Sequence, residues 1–358
     1  MDFEAGGALG RVFSDVEEIS RFQNALVVWF RSVGRDYPWR RTRDPYPILV
    51  SEAMLQQTQI AAVLGRGYFT RWMAAFPTWG DLAAATEEEV LKQWEGLGYY
   101  NRARNLRKTA QIVSRDFGGR FPEDFETILS LPGVGRYTAG AVMSFAFNRR
   151  AAIVDGNVSR VFSRLFAFTE PIDVSSGHRI IWGWAEALTP EIDPGLYNSA
   201  LMELGQRVCF RVSPNCLDCP VRSWCIAGRQ GMAAEFPVKK GGRATTVRQE
   251  RVVMAVKNHH ILLCPETGPH RKGLWRLPEI SSEDSADLTE LFRFDYTITR
   301  FRVTLMVFQY SWSLFDGEPE GACWFAEGRE KELPPIGSPY RKAIKMFSEI
   351  RDGLTING

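Results

Sequence analysis

The chain has 358 residues, of which 45 % are hydrophobic and 24 % charged, with a formal net charge of +2. That is the composition of a globular protein with room for two domains, and it excludes disordered and fibrous classes. The apolar run Ala25–Phe30 is far too short for a bilayer crossing, and the acidic start MDFEAGG lacks a basic-then-apolar leader, so a cytosolic protein with no membrane partner is expected.

From the N-terminus the first two thirds read as helical. Ser14-Asp15-Val16-Glu17 has the form of a capping box opening an amphipathic helix to about Ser32. Further helical windows are expected at Pro47–Tyr68, Glu87–Glu95, Ala103–Phe117, Phe125–Leu129, Tyr137–Phe147, Gly156–Phe166 and Tyr197–Val208, separated by Pro/Gly punctuation. Residues 231–247 form a basic stretch with little apolar periodicity, which predicts a linker. Beyond it Arg251–Lys257 and His260–Cys264 flank an Asn258-His259 turn, Phe301–Leu314 is a β-branched and aromatic run, and a helix is expected from Pro339 to Ile350. No internal repeat is present. Residues 101–150 carry nine Lys/Arg against four Asp/Glu, and residues 201–250 eight against four. Basic excess of this size is a weak sign of nucleic acid and is met more often in solvated faces.

Six cysteines in a cytosolic chain suggest metal or redox chemistry rather than disulfides. Cys209, Cys216, Cys219 and Cys225 follow a C-x6-C-x2-C-x5-C spacing, close enough to share one metal centre. Four thiolates are what a [4Fe–4S] cluster takes. A four-cysteine zinc site is the alternative, although zinc ligands commonly come as two CxxC pairs and only one pair here is tight. Cys264 and Cys323 are expected as core residues.

Leu131-Pro132-Gly133-Val134-Gly135-Arg136-Tyr137-Thr138 reads as a glycine hairpin running straight into a helix. The turn exposes backbone N–H groups, and the helix start adds unsatisfied donors and the positive end of the dipole. Such a device holds a phosphate without reading sequence.

With the hairpin, Val154-Asp155-Gly156-Asn157-Val158 and the cysteine spacing together, residues 14–228 resemble the helix-hairpin-helix superfamily of DNA glycosylases. Pro38-Trp39-Arg40, Ser51-Glu52-Ala53-Met54-Leu55-Gln56-Gln57-Thr58 and Gly96-Leu97-Gly98-Tyr99-Tyr100 look like its adenine DNA glycosylase (MutY) branch. The resemblance implies an all-α helix-hairpin-helix domain over residues 1–230. Within it, a six-helix barrel would span 34–147, and an iron–sulfur subdomain would combine 1–33 with 148–230. Basic linker 231–247 and an α+β MutT-like (Nudix-fold) domain over 248–358 would complete a multidomain chain. The implied activity is excision of adenine mispaired with 8-oxoguanine or guanine in double-stranded DNA, by a monomer in the cytoplasm, nucleoid-associated in a bacterium. The alternative is a related glycosylase with another mismatch or lesion preference. A non-catalytic DNA sensor would need neither Glu52 nor Asp155.

Cleaving an N-glycosidic bond expels a purine while the sugar turns cationic, which calls for two carboxylates with different duties. Glu52 lies in an apolar stretch, so burial should raise its pKa and keep a proton for the leaving base. The resemblance makes Asp155 the ionised group beside the sugar, with Asn157 and Tyr137 holding it. In the related endonuclease III branch a lysine stands at the position of Tyr137 and forms a Schiff base. A phenol cannot do so, which implies a monofunctional enzyme. Gln57 and Tyr99 match the residues that wedge into the base stack, and Trp39, Arg40, Leu55 and Glu203 match the adenine pocket. Gly133, Val134, Gly135, Arg136 and Thr138 would hold the DNA backbone, and Arg207, Arg211 and Arg222 would face phosphate.

In the C-terminal part Gly273-Leu274-Trp275-Arg276-Leu277-Pro278 fits the MutT-like pattern, but no glutamate-rich hydrolase box is present, so binding without a second catalytic centre is implied. Where the branch carries Phe-Ser-His to read 8-oxoguanine, this chain has Ile298-Thr299-Arg300. Thr299 keeps a hydroxyl that donates and accepts, and Arg300 would assist.

Overall fold

The computed structural model describes residues 3–241, 245–268, 271–298, 300–310, 318–327 and 332–355. Contact density divides the chain into two compact units, one made of residues 1–56 and 112–241 and the other of residues 57–111 and 242–358. The segment 34–147 is thus shared between the two.

The first unit is helical. In the helix Val16–Val33, Phe22, Leu26 and Phe30 recur at four-residue spacing and are the buried face. They join Val158 and Phe162 from the helix Gly156–Leu165, Trp184 from Ser175–Leu188, and Leu201 and Leu204 from Pro194–Arg207 in one core. The N-cap of the helix Val16–Val33 is Asp15, which accepts from the Glu18 backbone N–H, while the Glu18 carboxylate takes the Ser14 N–H at 2.7 Å. The expected capping box is thus not formed as read: Asp15 is the N-cap, being the residue with extended backbone, and Glu18 reaches back to the residue before it. The helix Pro45–Leu55 starts with Asp44 accepting from the Tyr46 N–H and Pro45 in the first turn. It is buried on nearly every side, as a helix apolar all round must be.

The window Pro47–Tyr68, expected as one helix, is broken into Pro45–Leu55, Ile60–Gly65 and the start of Tyr68–Ala75. Gln57 has φ 58°, which no α-helix accommodates. The break falls in the polar run Gln56-Gln57-Thr58-Gln59, which carries no Gly or Pro to mark it.

In the second unit the helices Trp79–Ala84 and Glu87–Trp94 both open with capping boxes, Thr78 with Asp81 and Thr86 with Glu89. Trp72 and Trp94 meet edge-to-face at 5.2 Å. Among its described residues the C-terminal part holds two sheets. In one, Phe301–Gln309 is the centre, parallel to Thr246–Met254 and antiparallel to Glu290–Ile298. In the other, His260–Pro265 is the centre, antiparallel to Val256–Lys257, Trp275–Arg276 and Cys323–Ala326. The hairpin at Asn258-His259 has both residues at positive φ, 50° and 59°, the geometry of a type I′ turn. Val252, Ile261, Leu305, Val307 and Ile336 pack with Tyr340 and Ala343 of the helix Ser338–Thr355. Lys92 Nζ donates to the Leu333 carbonyl at 2.6 Å and Arg341 Nε bonds the Glu95 carboxylate at 2.5 Å, joining this part to the helices of 57–111.

Cys264 is buried as expected, but Cys323 is exposed. It begins its strand and only the following residues are partly covered. The helix Ser175–Leu188 and the strands Glu290–Ile298 and Cys323–Ala326 were not anticipated. Among the described residues no helix is long and apolar enough to cross a membrane.

Candidate active site

Glu52 lies late in the helix Pro45–Leu55 and is 6 % exposed, among Ile48, Leu49, Val50 and Met54, all buried. Burial pushes its pKa up to about 7. A hydrogen bond from Tyr137 and the charge of Arg40 pull the other way, while the charge of Asp155 reinforces the rise. The neutral acid is what apolar surroundings favour.

Tyr137 stands at the second position of the helix Arg136–Phe145. Its hydroxyl bonds Glu52 and lies 3.5 Å from Met202 Sδ. Burial, then the charges of Glu52 and Asp155, hold it well above the ordinary phenol value, so it is a neutral donor.

Asp155 is the N-cap of the helix Gly156–Leu165. One carboxylate oxygen accepts from the Val158 N–H at 2.7 Å and the other from Asn157 Nδ2 at 2.9 Å. Burial raises its pKa, opposed by these two bonds, the Asn157 backbone and the charge of Arg160. The two acids thus differ in kind: Glu52 has one donor and an apolar wall, whereas Asp155 has a helix terminus and several donors, the arrangement that supports an anion.

Asn157 is fixed in turn. Arg160 Nη2 donates to Asn157 Oδ1 at 2.8 Å and to the Gly205 carbonyl at 2.7 Å, and its Nε donates to the Cys209 carbonyl at 2.8 Å. Gly205, on the helix Pro194–Arg207, has room for no side chain: a Cβ there would stand 2.5 Å from Asn157 Cβ. Arg160 and Gly205 were missed from sequence, although Arg160 lies three residues beyond Asn157 and so on the same helix face.

Of the expected adenine-pocket residues, Trp39 is buried and stacks on Tyr37 with centroids 5.3 Å apart. Arg40 Nη1 bonds Glu203 Oε2 at 2.9 Å, and its guanidinium lies over the rings of Phe30 and Tyr37 at 5.1 and 4.7 Å. Glu203 is fully buried, and its other oxygen, 3.6 Å from Arg35 Nε, has no hydrogen-bond partner. Leu55 ends the helix that carries Glu52, three residues on.

The hairpin is preceded by the helix Phe125–Ser130. Gly133 has φ 76°, a left-handed turn position suited to glycine, and Val134 is buried beneath the turn. Gly135 caps the next helix without a side chain, leaving its first N–H groups without a side-chain cap. The Arg136 guanidinium bonds Glu186 and lies 4.0 Å above the Trp182 ring, and Thr138 is buried. Gln57 and Tyr99 are both exposed. Arg300 is exposed, with its guanidinium 5.2 Å from the Phe301 ring centre. Thr299 lies outside the described residues.

Cys209, Cys216, Cys219 and Cys225 line one cavity, walled by Val161, Leu165, Leu204 and Val221. Among the described residues no group of three or more His, Cys, Asp or Glu closes to the spacing of a single ion's ligands. Burial pushes the Cys219 and Cys225 thiols up to about 12 and about 11. At Gly228 a Cβ would come within 3.2 Å of Cys225 Sγ and 3.9 Å of Cys216 Sγ, so the missing side chain keeps that wall open. The fully buried Arg164 donates to Cys209 Sγ at 3.2 Å and to the carbonyls of Phe210 and Arg211. The donor set and its lining suit a sulfur-ligated metal group.

Residues 50–185 match the family model of the HhH-GPD superfamily base excision DNA repair proteins. The chain is 41 % identical over 263 residues to the human adenine DNA glycosylase, covering 71 % of this chain and 48 % of that protein. To the adenine DNA glycosylase of Buchnera aphidicola from Acyrthosiphon pisum it is 35 % identical over 219 residues, 61 % of this chain and 62 % of the relative. The chain thus spans about half the length of its mammalian relatives. Among solved structures, a thermostable thymine-DNA glycosylase superposes with a TM-score of 0.53 at 31 % identity, covering 59 % of this chain and 97 % of that one. A trapped endonuclease III–DNA covalent intermediate superposes with a TM-score of 0.51 at 27 % identity, over 60 % of this chain and 98 % of that one.

Proposed function

Since the chain belongs to the HhH-GPD superfamily of base excision DNA repair proteins, in its adenine DNA glycosylase branch, we propose that it removes adenine mispaired with 8-oxoguanine or guanine from duplex DNA without cutting the strand. The observation that carries the reading is the pairing of a buried acid of pKa about 7, Glu52, with Asp155, a second carboxylate held at a helix N-terminus.

The adenine leaves the stack with Gln57 and Tyr99 as the wedge, and the hairpin N–H groups hold the strand by its phosphate. Trp39, Arg40, Leu55 and Glu203 receive the base. Glu52 passes its proton to adenine N7, the C1′–N9 bond breaks, and its electron pair leaves with the base. Asp155, held by Asn157 and the Val158 N–H, stabilises the developing sugar cation or adds to it transiently. Water then adds at C1′, displacing the Asp155 oxygen where it has added, and its proton returns to the Glu52 carboxylate. Tyr137 keeps Glu52 in place and cannot form a Schiff base, so the product is an intact strand with an abasic site. A [4Fe–4S] cluster held by Cys209, Cys216, Cys219 and Cys225 would supply no acid or base here. It would cross-link the segment that carries Arg207, Arg211 and Arg222, and the cavity that the four cysteines line and its open wall at Gly228 support it. The C-terminal sheets serve as a MutT-like lesion reader, with Thr299 and Arg300 facing 8-oxoguanine, and the protein acts as a monomer on chromosomal DNA.

Single-turnover base release from A:8-oxoguanine, A:G, A:T and G:T duplexes tests the reading. Release of adenine from the first two, lost in Glu52→Gln and Asp155→Asn, is expected. Thymine release from G:T would replace the substrate assignment, and efficient borohydride trapping on DNA would overturn the monofunctional one.

A further inference from the structure

Gln57 and Tyr99 share a backbone feature. Both are non-glycine residues in the left-handed region, with φ 58° and 50°, and both side chains are exposed. Holding such a residue there costs about 1 kcal/mol or more, so the neighbouring structure must over-determine it. One side chain reaches both segments. Arg102, in the first turn of the helix Asn101–Asp116, is 8 % exposed. Its Nη2 donates to Thr58 Oγ1 at 3.3 Å, to the Leu97 carbonyl at 3.1 Å and to the Gly98 carbonyl at 3.0 Å. Thr58 follows Gln57, and Leu97 and Gly98 precede Tyr99. The same guanidinium lies 5.2 Å from the Trp94 ring centre and 5.5 Å from that of Tyr99. Trp94 Nε1 donates to the Gly98 carbonyl at 3.0 Å, which closes the loop from the other side.

We infer that Arg102 is a positioning residue that locks the Gln57 and Tyr99 segments into one preset wedge. The inference rests on the wedge assignment proposed above. Inserting side chains into a base stack works against unstacking, which costs a few kcal/mol, and a loop that gives way under that load loses the work. The guanidinium brings one nitrogen to three oxygens of two loops while its flat face lies against Tyr99 and Trp94. A lysine keeps the charge without that geometry. Burial lowers the Arg102 pKa only to about 10, so the cation is present at neutral pH.

The test is a cycle in the full-length protein: Arg102→Lys and Tyr99→Ala, singly and together, with Gln57→Ala alongside. Single-turnover adenine release from an A:G duplex is measured, with flipping followed by fluorescence of 2-aminopurine placed at the target. Arg102→Lys should slow release and diminish the fluorescence rise by about tenfold, yet cost under about twofold in the Tyr99→Ala background. Its melting temperature should stay within a few degrees of the parent. An equal loss in both backgrounds, or no loss, would overturn the inference while leaving the wedge assignment standing. Parental rates in both Tyr99→Ala and Gln57→Ala would overturn the wedge assignment, and the inference with it. Arg102→Met, which removes the charge as well, should be worse than Arg102→Lys; equality would show that charge is irrelevant and geometry alone acts.

Discussion

Raising the pH across neutrality titrates the one group whose proton the reaction consumes. Glu52 has its pKa lifted from 4.5 to about 7, chiefly by burial, a preference of about 3 kcal/mol for the neutral acid. Its protonated fraction falls from about nine-tenths at pH 6 to about one-tenth at pH 8, so the single-turnover rate of adenine release should drop about tenfold over that interval. The neighbours fix the direction in which variants move this limb. Tyr137→Phe and Arg40→Met each remove an influence that lowers the Glu52 pKa, so both should shift the limb to higher pH. The same acid contributes to stability with a definite sign. Its folded pKa is raised, so its contribution is complete below pH 4.5 and declines as pH rises through about 7. Glu52→Gln should flatten that part of the curve of melting temperature against pH. A rate flat from pH 6 to 8, or a limb displaced downward in Tyr137→Phe, would refute the assignment of Glu52 as the proton donor.

Three other substitutions test separate parts of the site. Gly205→Ala would drive a methyl into Asn157 and should cost about 1–3 kcal/mol of stability, with adenine release slowed at least tenfold. Urea melts and single-turnover rates check it. Arg40→Met strips Glu203 of its 2.9 Å partner in a fully buried position, a change that costs about 3–5 kcal/mol where a buried pair is broken, and Arg40→Met with Glu203→Gln together should recover part of the loss. Thermal unfolding of the single and double variants reads this directly. Cys219→Ser should lower bound iron and melting temperature together; metal analysis finding one zinc and no iron in the parent would replace the cluster with a zinc site.

The features legible in the amino-acid order were those carried by local chemistry. Asp155 followed by Gly156 and Asn157 is both a helix cap and a motif, and Gly133 announces a turn because the backbone there needs a positive φ that other residues avoid. The apolar neighbours of Glu52 foretold its burial, and the four cysteines their common cavity. Tertiary structure decided what depends on distant partners. The helix expected over Pro47–Tyr68 stops at Leu55 because Gln57 takes a left-handed backbone, with the adjacent Thr58 tied to Arg102 forty-four residues away. The strand Glu290–Ile298 is held by pairing with Phe301–Gln309, since its alternation leaves one face only half covered and the other exposed. Arg160, bridging Asn157 to Cys209, and Gly205, yielding its side chain to Asn157, belong to the site only because helices far apart in sequence lie against each other. Capping and turn signals act within a few residues and can be read there; contacts between segments depend on packing, which no local pattern encodes.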